Sequence, residues 1–335
     1  MDDVKSDCMK VSVVTPNYNG LKFLNSYFET LLIQSRFIEE IIIIDNASTD
    51  GSVEFIEEFI NSSSYPIDIR LIRNEDNLGF APAVNQGIGL AKCEYIYSIN
   101  NDIELEWNCL EEIIKAMEDS IKLGENPFSI QSKMIQHYNR NLIDDAGDEY
   151  TILAWTKKLG DGQPVERYNE KREIFSSCAG AALYRKSVLE EIGLFDDDFF
   201  AYVEDIDLAY RAQIYGYENY FCPDSIVYHY GSATSGSRYS EFKIRLAARN
   251  NVFLIYKNFP IIQKIINFIF LFFGFLIKYL FFVRKGYGSI YLDGVKEGLN
   301  NRKKLNKTPF LRKNWKNYFK IEWKLIKNTF TYLKK

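Results

Sequence analysis

Four short apolar runs, each of the first three followed by residues that recur at helical spacing, organise the first hundred residues of the chain. VSVVT (11–15) reads as a buried strand, and Leu21, Leu24, Phe28, Leu31 and Leu32 then fall on one helical face. EIIIID (40–45) is a second strand, after which Thr49 or Asp50 caps a helix that turns Val53, Ile56 and Ile60 inward. IDIRLIR (67–73) is a third strand, APAVNQGIGLA a helix, and EYIYSI (94–99) a fourth strand. This β-α-β-α-β-α-β order predicts an α/β fold with a mostly parallel sheet flanked by helices on both faces.

In such open sheets ligands bind beyond the carboxyl ends of the strands. IIIIDNASTDGS (41–52) drives a continuous apolar run straight into Asp45 at that position, and SINNDIEL places Asn100, Asn101 and Asp102 at another strand end. A carboxylate there is costly unless it meets a ligand, a metal or backbone donors, and a plain helix cap is the competing explanation for Asp45. No G-x-G-x-x-G follows the first strand and no G-x-x-x-x-G-K-[ST] occurs, so neither a dinucleotide fingerprint nor a P-loop is present.

Acids recur further on, as Glu204, Asp205 and Asp207 in FFAYVEDIDLAYRAQIYGYENYFCPDSIVYHYG, which also holds His229. A carboxylate with a distant imidazole suits Mn²⁺ or Mg²⁺ bound together with phosphate oxygens, because hard ions prefer oxygen donors. An ordinary structural histidine is the alternative for His229, and a helix N-terminal cap is the alternative for Glu204-Asp205, which precede Leu208, Ala209 and Ala212 on one helical side. Crowded acids raise one another's pKa toward that of a useful base.

Charge divides the chain in two. Arg284 to Lys335 carries fifteen Lys/Arg against Asp293, Glu297 and Glu322, a net of +12, which leaves −16 for residues 1–283 out of an overall −4. Between these parts, IIQKIINFIFLFFGFLIKYLFFV (261–283) has about the length of a membrane span but is interrupted by Lys264, Asn267 and Lys278. It spans, lies in the interface or packs as a helical hairpin. The basic tail, with Trp315, Tyr318, Phe319 and Trp323 interleaved, suits an anionic membrane surface better than nucleic acid, given the lipid-like stretch beside it. A helical subdomain that packs on the sheet or forms a homodimer is the alternative. Five cysteines with no metal-type spacing, and an acidic N-terminus without an apolar signal region, point to a reducing, cytoplasmic setting.

Six motifs in order, VSVVTPNYNG, IIIIDNASTDGS, NEDNLGFAPAVNQGI, YIYSINND, SSCAGAALYRKSVLEEIGLFDDDFFAYVEDIDLAYRAQIYGY and VYHYGSATSG, resemble glycosyltransferase family 2, especially its rhamnosyltransferase-like members. The resemblance covers about residues 10–258, between an N-terminal tail (1–9) and a helical, basic, membrane-associating region (259–335). It implies a GT-A fold with a Rossmann-like sheet, a nucleotide-diphosphate sugar donor such as dTDP-rhamnose, a divalent metal (Mn²⁺ or Mg²⁺), and inversion at the anomeric carbon. It assigns Thr15, Pro16, Asn17 and Tyr18 to the first nucleotide loop and Asp45 to the base or ribose. Asn77, Gly79 and Phe80 fall in a loop near the donor, with Asn85 on the helix behind.

Asn100-Asn101-Asp102 stands where the family has D-x-D, so Asp102 carries the metal with His229 as distal ligand. Ala179, Gly180 and Ala181 match the segment below the acceptor, and Glu204-Asp205 the acidic pair whose aspartate is the base. The implied acceptor is a glycan or lipid-linked glycan hydroxyl, with the enzyme at the inner face of the cell membrane. A non-catalytic, membrane-docked scaffold and a sugar-nucleotide-forming nucleotidyltransferase are the other readings. TPNYNGLKF lacks the basic, glycine-rich phosphate loop that the nucleotidyltransferase requires.

Overall fold

The computed structural model describes residues 9–62, 66–231 and 239–334. Cys8, with the rest of residues 1–8, and residues 232–238, which include the SATSG end of the VYHYGSATSG motif, lie outside that description.

All four expected N-terminal strands form: β1 (Val11–Asn17), β2 (Ile38–Asp45), β3 (Asp68–Arg73) and β4 (Tyr95–Ile99). They pair in parallel in the order β4-β1-β2-β3, with helices Leu21–Leu32, Ser52–Ser62 and Phe80–Leu90 in the crossovers. The four isoleucines of β2 divide between two cores. Ile41 and Ile43 pack with Leu24, Phe28 and Ile113 on one face, and Ile42 and Ile44 with Val84, Ile88 and Leu208 on the other. Alternate strand residues point to opposite sides, so a strand covered on both faces is apolar at every position until it leaves the sheet.

Eight further strands follow: β5 (Ile103–Leu105), β6 (Pro127–Gln136), β7 (Ile143–Asp145), β8 (Asp148–Tyr150), β9 (Thr156–Lys158), β10 (Arg172–Ile174), β11 (Ala181–Arg185) and β12 (Glu218–His229). The main path of the sheet is β10-β12-β6-β11-β4-β1-β2-β3. β11 lies antiparallel between β4 and β6, and β12 runs parallel to β6 but antiparallel to β10 and β5, so the sheet is parallel on one side and mixed on the other. β8 and β9 form a separate hairpin.

The C-terminal helices share a third core with the rest of the molecule. Ile321 and Leu325 of helix Trp315–Leu333 pack with Phe199, Ile206, Tyr210 and Leu254. The apolar stretch 261–283 forms two helices, Ile261–Ile266 and Phe268–Arg284, that meet at Asn267. Gln263 Nε2 and Asn267 Nδ2 both donate to Glu322 Oε2, at 2.7 and 3.0 Å, which ties this joint to the last helix. Among the described residues no helix is long and apolar enough to cross a membrane.

Candidate functional site

Hydrogen bonds between side chains join three strand ends. Asn17, the last residue of β1, donates Nδ2 to Asp45 Oδ2 at the end of β2 (2.6 Å), and Asn101, just beyond β4, donates Nδ2 to Asn17 Oδ1. Asp45 Oδ1 accepts the Ser48 N–H at 2.9 Å. This rail explains how a buried carboxylate is tolerated at the end of an apolar strand: each oxygen has a donor. Asp45 does not cap the following helix. That helix starts at Ser52, and it is Asp50 that accepts from the Ser52 and Leu21 N–H groups (3.0 and 2.9 Å).

A second loop closes against the rail. Asn46 Nδ2 donates to the Gly79 carbonyl (3.0 Å), and Asn77 Oδ1 accepts the Gly79 N–H (3.0 Å). Gly79 has φ +94°, and a Cβ there would come within 2.6 Å of the Phe200 carbonyl oxygen, so only glycine fits. That carbonyl in turn accepts from Phe80 and Ala81 N–H (2.6 and 3.2 Å) at the start of helix Phe80–Leu90.

Phe200, Tyr202 and Val203 all have positive φ, +63°, +69° and +74°, in the turn that delivers Glu204 and Asp205. Such backbone is unfavourable for bulky residues and persists only when its surroundings over-determine it. Asn250, in helix Glu241–Asn258, supplies that constraint: its Nδ2 donates to the carbonyls of Phe199, Ala201 and Tyr202 at 2.9, 2.9 and 2.7 Å. Arg249 adds bonds to the carbonyls of Asp198 and Phe199 (3.1 and 2.9 Å). We expect Asn250→Ala to cost about 1–3 kcal/mol of stability through these unpaired carbonyls. An unchanged denaturant midpoint would show that the turn holds itself.

The three acids after this turn have different fates. Asp207 is fully buried and tied to Lys257 Nζ (2.9 Å), Asn258 Nδ2 (2.7 Å) and Arg211 Nε (3.0 Å). Burial works to raise its pKa, but the Lys257 and Arg211 charges outweigh it and hold the carboxyl below its ordinary range. Glu204 is buried with Oε2 unpartnered, and desolvation followed by the Asp205 charge pushes it well above the carboxylate range. Asp205 is half-buried; desolvation, with Asp145 adding repulsion against the stabilising Ile206 N–H, pushes it up to about 6. Asp205 is thus a carboxylate poised to take a proton near neutral pH.

Across the site, His229 at the end of β12 stands between two carboxylates, with Nε2 3.5 Å from Asp102 Oδ2 and Nδ1 2.9 Å from Asp144 Oδ2. Burial opposes its charge, but hydrogen bonds to Asp102 and Asp144 prevail and raise it to about 9. Asp102 Oδ1 is buried without a partner. An orphaned carboxylate oxygen beside an imidazole nitrogen fits a hard divalent cation whose remaining positions are filled by phosphate oxygens. With such a cation bound, Asp144 would hold the His229 ring in place through Nδ1. Among the described residues no three His, Cys, Asp or Glu side chains are gathered as a complete metal cage.

Not every residue expected at the site presents its side chain there. Thr15 Oγ1 is buried against Tyr27 Oη (2.6 Å), and Asn85 clamps Phe195 through its carbonyl and N–H (2.8 and 3.1 Å). Ala179 and Ala181 point into opposite cores, whereas the Gly180 carbonyl accepts the Asn100 N–H (2.9 Å), and a Cβ on Gly180 would lie 3.2 Å from Asn100 Nδ2. Phe80 packs on Phe195, Pro16 is half-buried, and Tyr18 remains exposed. Residues not singled out from sequence stand beside these: Asp144 on His229, Asp145 and Lys158 next to Asp144, and Asn250 under the turn before Glu204. Lys158 Nζ lies 3.4 Å from both Asp144 and Asp145. The acid-rich DDAGDE (144–149) was the available signal, but nothing local ties it to His229, 85 residues away.

The family model described as Glycosyl transferase family 2 matches residues 12–193, more than half of the chain. The chain is similar to Glycosyltransferase GlyG of Streptococcus pneumoniae, 34% identical over 109 residues, which are 32% of this chain and 35% of that protein. The match therefore spans about a third of that relative's length. By structure it is similar to GalNAc-T7 with UDP, GalNAc and Mn²⁺ (TM-score 0.58, 18% identity, 75% of this chain and 48% of that one). It is also similar to the mannosyltransferase PcManGT from Pyrobaculum calidifontis in complex with GDP-Man and Mn²⁺ (TM-score 0.54, 14% identity, 94% and 84%). These likenesses show a GT-A fold: a mixed, curled sheet flanked by helices, followed by a helical C-terminal region.

Proposed function

The chain belongs to glycosyl transferase family 2, and on that premise we propose that it moves a sugar from a nucleotide-diphosphate donor, with inversion, to a hydroxyl of a glycan or lipid-linked glycan. The observation that carries this reading is the Asp205 carboxyl, raised to about 6, just after a turn whose Phe200 carbonyl meets the Gly79-Phe80 loop that Asn46 ties to the Asp45-Asn17-Asn101 rail. Asp205 takes the proton of the acceptor hydroxyl as its oxygen bonds to the anomeric carbon, and the bond from that carbon to the diphosphate oxygen breaks on the opposite face. Asp45, Asn17 and Asn101 hold the nucleoside end, and Gly79-Phe80 line the loop beside it. Asp102 and His229 would hold a divalent cation, Mn²⁺ or Mg²⁺, whose charge stabilises the departing diphosphate. The motif resemblance favours dTDP-rhamnose as donor, and the apolar, basic C-terminal region favours an acceptor met at the inner face of the membrane.

Incubation with a panel of nucleotide sugars, with and without metal, tests the reading through release of nucleoside diphosphate. Metal-stimulated release from one donor supports it, and no release from any donor counts against it. Asp144→Ala is expected to lower metal affinity or activity about 10–100-fold by freeing the His229 ring. If that variant keeps the metal response of the parent, Asp144 does not orient a ligand.

A further inference from the structure

The helix Phe268–Arg284 buries a single residue, Gly274, although almost every position in it is apolar. A Cβ at Gly274 would clash with the Leu153 carbonyl oxygen, so the backbones meet closely there, and on the same side Phe275, Tyr279 and Phe282 pack with Ile244, Ala248 and Tyr291. Along Ile261–Arg284 most of the other large aliphatic and phenylalanine side chains are exposed, among them Ile262 at 68% and Phe268 at 67%, while Leu271, Phe275 and Phe282 are partly buried. On helix Trp315–Leu333, Trp315, Phe319, Trp323 and Phe330 recur at helical spacing and are also exposed. The Glu322 bonds to Gln263 and Asn267 hold the two apolar elements side by side. Monomeric soluble proteins rarely expose a patch of this kind without a partner.

The charge around the patch selects the partner. Lys303, Lys304, Arg312, Lys313, Lys316 and Lys320 are exposed, and none forms an ion pair among the described residues. Apolar and aromatic surface edged by unpaired cations matches an anionic phospholipid bilayer, in which rings sit among the headgroups and cations meet lipid phosphates. Nucleic acid would use the cations but leave the isoleucines and phenylalanines exposed.

We propose that Ile261–Arg284 and the aromatic stripe of Trp315–Leu333 together dock the protein flat on an anionic bilayer, without crossing it, and that the docked face adjoins the acceptor side of the site. The second half of this rests on the transferase reading. The docking helices contact the segment that leads out of the acid cluster: Trp155 Nε1 donates to the Gly274 carbonyl (3.0 Å), and Thr329 Oγ1 accepts the Ile152 N–H (3.1 Å). Asn328 Nδ2 donates to the Tyr150 carbonyl (3.1 Å) at the end of β8, the strand that Asp148 begins. A lipid-linked acceptor would then meet Asp205 from the bilayer side without leaving the membrane.

The test is flotation of the full chain with vesicles of phosphatidylglycerol and phosphatidylcholine, against phosphatidylcholine alone. Binding is expected to the anionic vesicles and to weaken from about 0.1 M to about 1 M salt as screening shortens. Ile269→Glu/Phe273→Glu, both exposed, is expected to weaken it at least about tenfold with unchanged melting temperature, and Lys316→Gln/Lys320→Gln to weaken it without abolishing the tryptophan emission shift at low salt. The proposal is overturned by no flotation at low salt, by equal vesicle binding of the Ile269/Phe273 variant, or by a dimer that the same variant disperses while vesicles bind nothing. Tighter binding to duplex DNA than to vesicles also overturns it. A chain that floats but releases no nucleoside diphosphate supports the docking and refutes the transferase reading, so the two failures are distinct.

Discussion

Asp205→Asn is expected to lower transfer by about two to four orders of magnitude, the usual contribution of a positioned general base, while leaving donor affinity near that of the parent. The amide keeps the size and the hydrogen-bonding reach of the carboxylate but accepts no proton. Donor affinity survives because the rail of Asp45, Asn17 and Asn101 and the Gly79 turn do not involve Asp205. The same raised pKa fixes the pH response. Transfer by the parent should climb as pH rises through about 6, where Asp205 ionises. Stability moves the other way: the folded state holds this proton more tightly than the unfolded chain, so stability falls as pH rises from the ordinary carboxylate range to about 6. At neutral pH the Asn variant should therefore be at least as stable as the parent. Near-normal turnover, or a clear loss of stability, would remove Asp205 from the role of base.

Two residues later the same chemistry has the opposite consequence. Asp207→Ala is expected to cost about 3–5 kcal/mol, because it strands Lys257 and Arg211 in the interior without their common anion. The Asp207 pKa is held low, so this stabilisation is present above the ordinary carboxylate range and is lost as acid protonates the group in the folded state. The denaturant midpoint reads the effect directly. A drop of only a few tenths of a kcal/mol would mean that Asp196, which also contacts Lys257, carries the cation alone. Adjacent acids in one helix turn thus separate into one that is destabilising and reactive and one that is stabilising and inert.

The difference between these acids was not legible in the sequence, where 204, 205 and 207 read only as a crowd. It is set by Lys257 and Asn258, about fifty residues away, and by a backbone turn that Asn250 holds. The first four strands were legible because their evidence is local: apolar runs, helical spacing, and for two of the runs an acid beyond the strand end. The antiparallel slot of β11 was not, since only Ala179–Ala181 stood out there, as a small-residue segment, and the pairing of Ala181–Arg185 with both β4 and β6 defines its direction. Likewise the break at Asn267 depends on Glu322, which no window around residue 267 contains. Asp45, Asn101 and Asp102 stood out because position in an α/β sheet already limits where ligands bind, whereas Asn17 was marked only by the family's motifs. Thr15 and Asn85 were also marked from the motifs, yet their side chains serve packing and loop attachment, a distinction that depends on rotamer and neighbour.

The account stands on the donor lying across the carboxyl ends of β1, β2 and β4. A crystal structure of the Asp205→Asn variant soaked with nucleotide sugar and Mn²⁺ tests this most directly. The account predicts the nucleoside against Asn17, Asp45 and Asn101, the diphosphate at Asp102 and His229, and the anomeric carbon facing residue 205. A nucleotide bound elsewhere, or one at these strand ends with its sugar turned away from residue 205, would contradict it.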